Sequence, residues 1–252
     1  MGLVPAGCRL TRITAIEKTD TKRYDFPVYP NAESCGIIER VLSAQPAAVR
    51  NKYYENRITV CRKNGFSFEI FPPKKTSPIE TVYDTLEALQ GLHPDFISVT
   101  FGAGGSGNGE NTLAIARRLK ERYGVLPMAH LPCIHYAKAQ IDQILEQFQE
   151  NGIENILALR GDRVEGLTPT TDFDHAADLI RYIRSKTGSF DIAGACYPEC
   201  HPEAPNMDTD IRHLKEKVDA GASHLISQLF FDNNDFGSYL VEIPLDGIVT
   251  GF

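Results

Sequence analysis

The feature that most constrains this chain is a repeat of pattern rather than of residues. From residue 66 onward, short apolar runs alternate with amphipathic stretches. The runs are FSFEIF (66–71), DFISVTF (95–101), VLPMAHL (125–131), NILALRG (155–161), DIAGACY (191–197) and HLISQLFF (224–231). They recur roughly every 30 residues, the length of a strand–helix unit. Each run is apolar throughout rather than alternating, as strands covered on both faces are. The stretches between them carry helix signals. SPIETVYDTLEALQG offers Ser77 as N-cap, Pro78 in the first turn, Glu80 to complete a capping box and Gly91 as a stop. AKAQIDQILEQFQENG sets Ile141, Ile144, Leu145 and Phe148 on one face and stops at Gly152. DHAADLIRYIRSKTG and DTDIRHLKEKVDAG also close on glycine. Six such units in series predict a parallel α/β fold.

Two parallel architectures compete, and the polar residues separate them. Every run carries a reactive group at its C-terminal end: Glu69, Thr100, His130, Asp162, Tyr197 with His201, and Gln228. A doubly wound sheet concentrates its site at one switch point. A (β/α)8 TIM barrel collects residues from many strand ends into one mouth. The spread over six strand ends predicts the barrel. The last one or two βα units are missing or incomplete, because the tail IPLDGIVTGF supplies part of a seventh strand at most. The barrel domain is assigned to residues 65–252. Residues 1–64 form an N-terminal extension of unknown role, holding strand-like RITAI and NRITV and a helix-like stretch around SCGIIERVLS.

Gly102 to Gly107, GAGGSG, follow the second run with the spacing of a dinucleotide-binding fingerprint. That fingerprint needs an acidic residue about 20 residues further on for the ribose. The next strand reads LPMAHLPC and has none, and NGEN intervenes before the helix. The glycines are read instead as a place where backbone approaches a ligand closely.

Composition excludes several classes. A net charge of −7 with no long basic run argues against a nucleic-acid surface. No apolar stretch reaches the ~18 residues of a membrane span. The start lacks the apolar core of a signal peptide. Six irregularly spaced cysteines do not make a disulfide framework, so a cytoplasmic location is expected.

Several side chains carry chemistry, each with a plainer alternative. Glu69 lies among large apolar residues, where desolvation raises a carboxyl pKa and suits it to general acid work. Equally, it is a buried glutamate paired with Arg160 or a lysine. Arg160 and Asp162 flank Gly161, and on residue type alone they form a structural ion pair; an arginine there also favours an anionic or flat conjugated ligand. HLPCIH and CYPECHPE bring His130, Cys133, His135, Cys196, Cys200 and His201, which raises a zinc-dependent barrel hydrolase as the alternative function. The spacing lacks the two-residue cysteine knuckle, and no metal is expected. Gln228 reads a heterocycle edge through its amide or is a hydrogen-bonded core glutamine.

Together these segments resemble the flavin-dependent methylenetetrahydrofolate reductase family. FSFEIFPPK, DFISVTFGAGGS, HLPC, NGIENILALRGD, YPECHPEA, LKEKVDAGA and SQLFFD look like its motifs in its order, from about Phe66 to Leu240. The resemblance implies a (β/α)8 barrel binding FAD at the strand C-termini. It implies hydride transfer from NADH or NADPH through FAD to 5,10-methylenetetrahydrofolate, giving 5-methyltetrahydrofolate for one-carbon metabolism and methionine biosynthesis. Glu69 matches the family's general acid, Asp162 the carboxylate beside pterin and flavin, and Gln228 the pterin-binding glutamine. Thr100, His130, Leu159, Arg160, Gly161, Asp162, Tyr197, His201, Asp210 and Lys217 fall on FAD-contact positions. His175 and Ala176 fall there too, with His175 replacing a tyrosine of some relatives. Glu216 departs further, standing where some relatives have a basic residue near the FAD phosphates, where an acid would be repulsive. The partners implied are small molecules, with a homo-oligomer left open. An inactive, truncated remnant of the reductase is the remaining alternative.

Overall fold

The structure is a computed structural model, and it describes residues 67–73, 77–101, 109–163, 166, 168–231 and 249–250. The GAGGSG turn, the N-terminal runs and residues 232–248 lie outside the described residues.

Seven parallel strands form one sheet in the order β1 to β7. They are β1 (Ser67–Ile70), β2 (Phe96–Val99), β3 (Leu126–Pro132), β4 (Asn155–Leu159), β5 (Asp191–Cys196), β6 (His224–Ser227) and β7 (Val249–Thr250). Strand order follows chain order without reversal, so the sheet has no topological switch point; this is the winding of a barrel. Five helices return the chain between the first six strands: α1 (Glu80–Leu89), α2 (Glu110–Arg118), α3 (Lys138–Glu150), α4 (Ala176–Lys186) and α5 (Met207–Asp219). Six strands of this partial (β/α)8 barrel are the six apolar runs, and the two-residue β7 pairs through Leu225 with Val249 and Ile226 with Thr250. Among the described residues, β1 and β7 each pair on one side only.

Side chains along each strand alternate between two apolar layers, following the pleat. Phe68, Ile70, Ile97, Val99, Ala129, Leu131, Ile156, Ala158 and Ile192 join the large cluster that includes the buried faces of α1 to α4. The alternate positions Phe96, Met128, Leu157, Ala193 and Ile226 form a second cluster on the opposite, inner face. Helix α5 buries Leu214 against Cys196 and Leu225. Burying such side chains contributes about 1.5–3 kcal/mol each for the larger ones, and both layers fix the register that aims the strand ends.

Three helix boundaries differ from the sequence expectation. Helix α1 starts at Glu80 with Ile79 at the N-cap and no side-chain cap, so Ser77 does not cap it. Instead the Pro78 carbonyl accepts hydrogen bonds from the Thr81 amide and hydroxyl. Its C-terminal end tightens into a 3-10 turn over Gln90–Leu92, and His93, at φ 47°, makes the left-handed stop expected of Gly91. The stops at Gly152 (φ 64°) and Gly221 (φ 113°) are as expected. Helix α4 ends on extended Thr187, ahead of its glycine.

Candidate active site

A cavity of about 550 Å³ opens at the C-terminal ends of the strands. All fourteen residues that the resemblance assigns to catalysis, cofactor or substrate line it, whereas Cys133, His135, Cys196 and Cys200 of the zinc alternative do not. The sheet explains why: neighbouring parallel strands in register release their chains at one level, so their last side chains converge.

Glu69 is the inward residue of β1, opposite Ser98 of β2. Its side chain is 19% exposed, and burial raises its pKa above the ordinary carboxylate value. Among the described residues it is paired with neither Arg160 nor a lysine; its neighbour is His130, whose Nε2 lies 3.6 Å from Glu69 Oε1. Burial lowers the His130 pKa to about 4, so the ring is neutral at pH 7. Thr100 follows β2, and its carbonyl accepts from the Thr112 hydroxyl at 2.9 Å.

The end of β4 is a fixed turn. Gly161 has φ 87°, and the Arg160 carbonyl accepts from the amides of Cys133 (3.1 Å) and Ile134 (2.8 Å). Leu159 and the exposed Asp162 flank this turn on the cavity wall. The expected Arg160–Asp162 pair is not the one formed. Arg160 donates from its two terminal nitrogens to both oxygens of Glu203, at 2.5 and 2.8 Å. Its Nε donates to the Gly161 carbonyl at 3.1 Å. The guanidinium's hydrogen bonds pull the Glu203 carboxyl down to about 2. A bidentate fork fixes the guanidinium plane, which one charge contact would leave free to rotate.

The loop after β5 supplies Tyr197, His201 and Glu203. Tyr197 and His201 meet edge to face at 4.6 Å. Cys200, at φ 69°, makes the turn that brings them together. The buried Asp210 of α5 anchors it by accepting from the His201 amide at 2.9 Å. Lys217, two turns along the same helix, donates to the Ala195 carbonyl at 2.8 Å. Burial lowers its pKa, with Asp210 opposing the shift. At the start of α4, the His175 amide donates to Asp178 at 2.9 Å. The exposed His175 ring sits 5.9 Å from that of His213, and Ala176 is buried behind it. Gln228 ends β6. It is exposed, with its side-chain oxygen accepting from the Leu229 amide, so it is not a core glutamine.

Among the lining residues that carry no expectation from the sequence are Phe71, Glu203 and His213. His213 was findable, because Asp210, His213 and Lys217 share one helical face by spacing. Among the described residues no group of three or more His, Cys, Asp or Glu is placed to hold a metal ion. Nor, among them, is any helix long and apolar enough to cross a membrane.

These features define a class first: a (β/α)8-type barrel whose ionisable side chains gather in one cavity at the strand C-termini. The family profile described as methylenetetrahydrofolate reductase matches residues 54–250, and the chain belongs to that family. The 5,10-methylenetetrahydrofolate reductase of Pectobacterium carotovorum subsp. carotovorum is 43% identical over 167 residues, covering 66% of this chain and 54% of that protein. Methylenetetrahydrofolate reductase (NADH) 1 of Arabidopsis thaliana is 38% identical over 205 residues, covering 76% and 34%. Methylenetetrahydrofolate reductase 2 of Saccharomyces cerevisiae (strain ATCC 204508 / S288c) is 38% identical over 194 residues, covering 74% and 32%. The chain spans about half the length of the bacterial relative and about a third of the other two. Among solved structures, oxaloacetate acetylhydrolase aligns with a TM-score of 0.46 at 12% identity, over 62% of this chain and 59% of that one; no argument rests on that likeness.

Proposed function

We propose that this barrel is the catalytic unit of a methylenetetrahydrofolate reductase, carrying a hydride from NADH or NADPH to 5,10-methylenetetrahydrofolate with FAD as cofactor. The observation that carries the reading is the convergence on one cavity of side chains from six strand ends, with a desolvated carboxyl among them.

The lining fits a flavin. Gly161 lines the cavity with bare backbone, which a planar ring can approach without meeting a side chain of that residue. Thr100, Leu159 and the fixed Arg160 fork offer ring-edge contacts. Tyr197 and His201 present ring edges, and His175 with Ala176 lies at a helix start. Lys217 and Arg160 are the lining's fixed cations for a phosphate arm, with Asp210 holding the loop behind them; Glu216 opposes such an arm. FAD would supply the hydride relay between nicotinamide and folate.

The chain's own residues do the rest. Glu69, whose protonated form desolvation favours, donates a proton to the folate nitrogen as the five-membered ring opens. Asp162 places a carboxylate next to the cation so formed. Gln228 offers a donor and an acceptor to the pterin edge. The inner apolar layer under the cavity keeps water from the floor.

The test is reconstitution of the purified chain with FAD, followed by anaerobic reduction with NADH or NADPH and reoxidation by methylenetetrahydrofolate. A bound flavin spectrum and folate-dependent reoxidation are expected. A chain that neither takes up FAD nor reoxidises with folate overturns the reading.

A further inference from the structure

The cavity floor holds a half-buried and a buried titratable group, Glu69 and His130, on neighbouring inward rows. Glu69 pairs in register with Ser98 of β2, Ser98 with Met128 of β3, and His130 lies two residues beyond Met128 on the same face. His130 Nε2 is buried and has no hydrogen-bond partner. Among the described residues it is the one cationic-type side chain within ion-pair distance of the Glu69 carboxyl, at 3.6 Å. That separation is just outside hydrogen-bond range, and closing it takes a movement of only a few tenths of an ångström.

What each group lacks, the other has. Desolvation is the cause of both pKa shifts, and it favours the neutral form of each. No shift of either comes from Arg160, Asp162 or Lys217 in the same cavity. A neutral carboxylic acid needs an acceptor for its O–H. A neutral imidazole with the proton on Nδ1 needs a donor at Nε2. An unpartnered buried polar atom is costly, and a hydrogen bond from the Glu69 carboxyl relieves the one at His130 Nε2.

We propose that Glu69 and His130 form one hydrogen-bonded unit in which the Glu69 carboxyl donates to His130 Nε2, making His130 the positioning residue that holds the acid's proton and aims it. The proposal rests on the reductase reading only for the use to which that proton is put. His130 touches the reaction through Glu69.

The test needs neither flavin nor folate. Infrared spectra of the flavin-free full chain at pH 7 should show a protonated-carboxyl C=O band that disappears in Glu69→Gln. In His130→Phe the band should move to higher wavenumber, because the acid loses its acceptor. In His130→Gln, whose amide oxygen accepts, it should stay near the parent position. If His130→Phe does not fold, ¹⁵N-histidine spectra replace it. The parent should show His130 with Nε2 unprotonated, and Glu69→Leu should shift that resonance towards the value of an imidazole without a donor. Absence of the carboxyl band at pH 7, an identical band in His130→Phe, or an unmoved Nε2 resonance in Glu69→Leu overturns the proposal. Failure of flavin binding or turnover would instead count against the reductase reading and leave these spectra untouched.

Discussion

Replacing Gly161 with alanine tests the turn on which the Arg160–Asp162 wall depends. At φ 87°, residue 161 is in the left-handed region, where a Cβ crowds the following carbonyl oxygen, a cost of about 1–2 kcal/mol. The new Cβ would also lie 2.9 Å from Pro132 Cβ and 3.5 Å from Ile134 Cγ2. Relief requires movement of one side, and neither is free. Pro132 is the last residue of β3 and pairs in register with Leu159. The turn is tied back by the two amide bonds to the Arg160 carbonyl. Overpacking of this kind costs about 1–3 kcal/mol. Less the gain of about 0.4–1 kcal/mol from a stiffer unfolded chain, Gly161→Ala should destabilise by about 2–4 kcal/mol. Gly124→Ala is the control: φ is 64° and nothing lies within 4 Å of its Cβ. It carries only the backbone cost, about 1 kcal/mol or less after the same offset. Urea unfolding followed by far-UV circular dichroism measures both, with a lower midpoint at unchanged slope expected. Equal losses for the two variants would refute the contact with Pro132 as a source of strain.

Glu69→Gln should slow reoxidation of the reduced, FAD-loaded protein by methylenetetrahydrofolate by about 10²–10⁴-fold, while reduction by nicotinamide stays within several-fold of the parent; stopped-flow flavin absorbance separates the two, and equal slowing would make Glu69 a structural residue. Glu216→Lys, which reverses a charge on the cavity lining, should tighten FAD binding several-fold at low salt and progressively less at high salt, with riboflavin unchanged; fluorescence titration of both ligands checks it. His130 also makes stability depend on pH. Its folded pKa of about 4 lies below the ordinary 6.5, so between those values the unfolded chain binds the extra proton. The contribution is complete above pH 6.5 and is lost as pH falls to 4, a change of about 3 kcal/mol. Urea midpoints across that window should fall less steeply in His130→Gln, and parallel profiles would contradict the assignment.

The fold was legible because parallel strands buried on both faces write themselves as continuous apolar runs, and helices with one buried face write a period near four. Ile141, Ile144, Leu145 and Phe148 are all buried, as their spacing requires. Helix ends were less legible, since a stop is decided by whichever residue accepts the left-handed conformation at least cost. At α1 that residue is His93 rather than Gly91, because the chain tightens into a 3-10 turn before it breaks. The local pattern around Ser77 satisfied the rules for a cap, yet the Pro78 carbonyl accepts the Thr81 hydrogen bonds instead.

The site divides in the same way. Strand ends are placed by register, so a sequence that loads each strand end announces which residues will meet. Partners across loops obey no such spacing. Arg160 and Asp162 are close in sequence, yet a tight turn at Gly161 sends their side chains apart, and the guanidinium is taken by Glu203 from the loop after β5. That choice matters physically. An Arg160–Asp162 pair would neutralise the carboxylate that the proposed folate site needs. Pairing with Glu203 keeps the guanidinium flat and fixed and leaves the exposed Asp162 carboxylate facing the cavity, with its backbone carbonyl held by His135 at 3.0 Å. The positive φ at Cys200, the hydrogen bond from the His201 amide to Asp210 and the Glu203 fork therefore form one device. It sets a cation against one wall of the cavity and frees an anion on the adjoining turn, and neither position can be changed without disturbing the other.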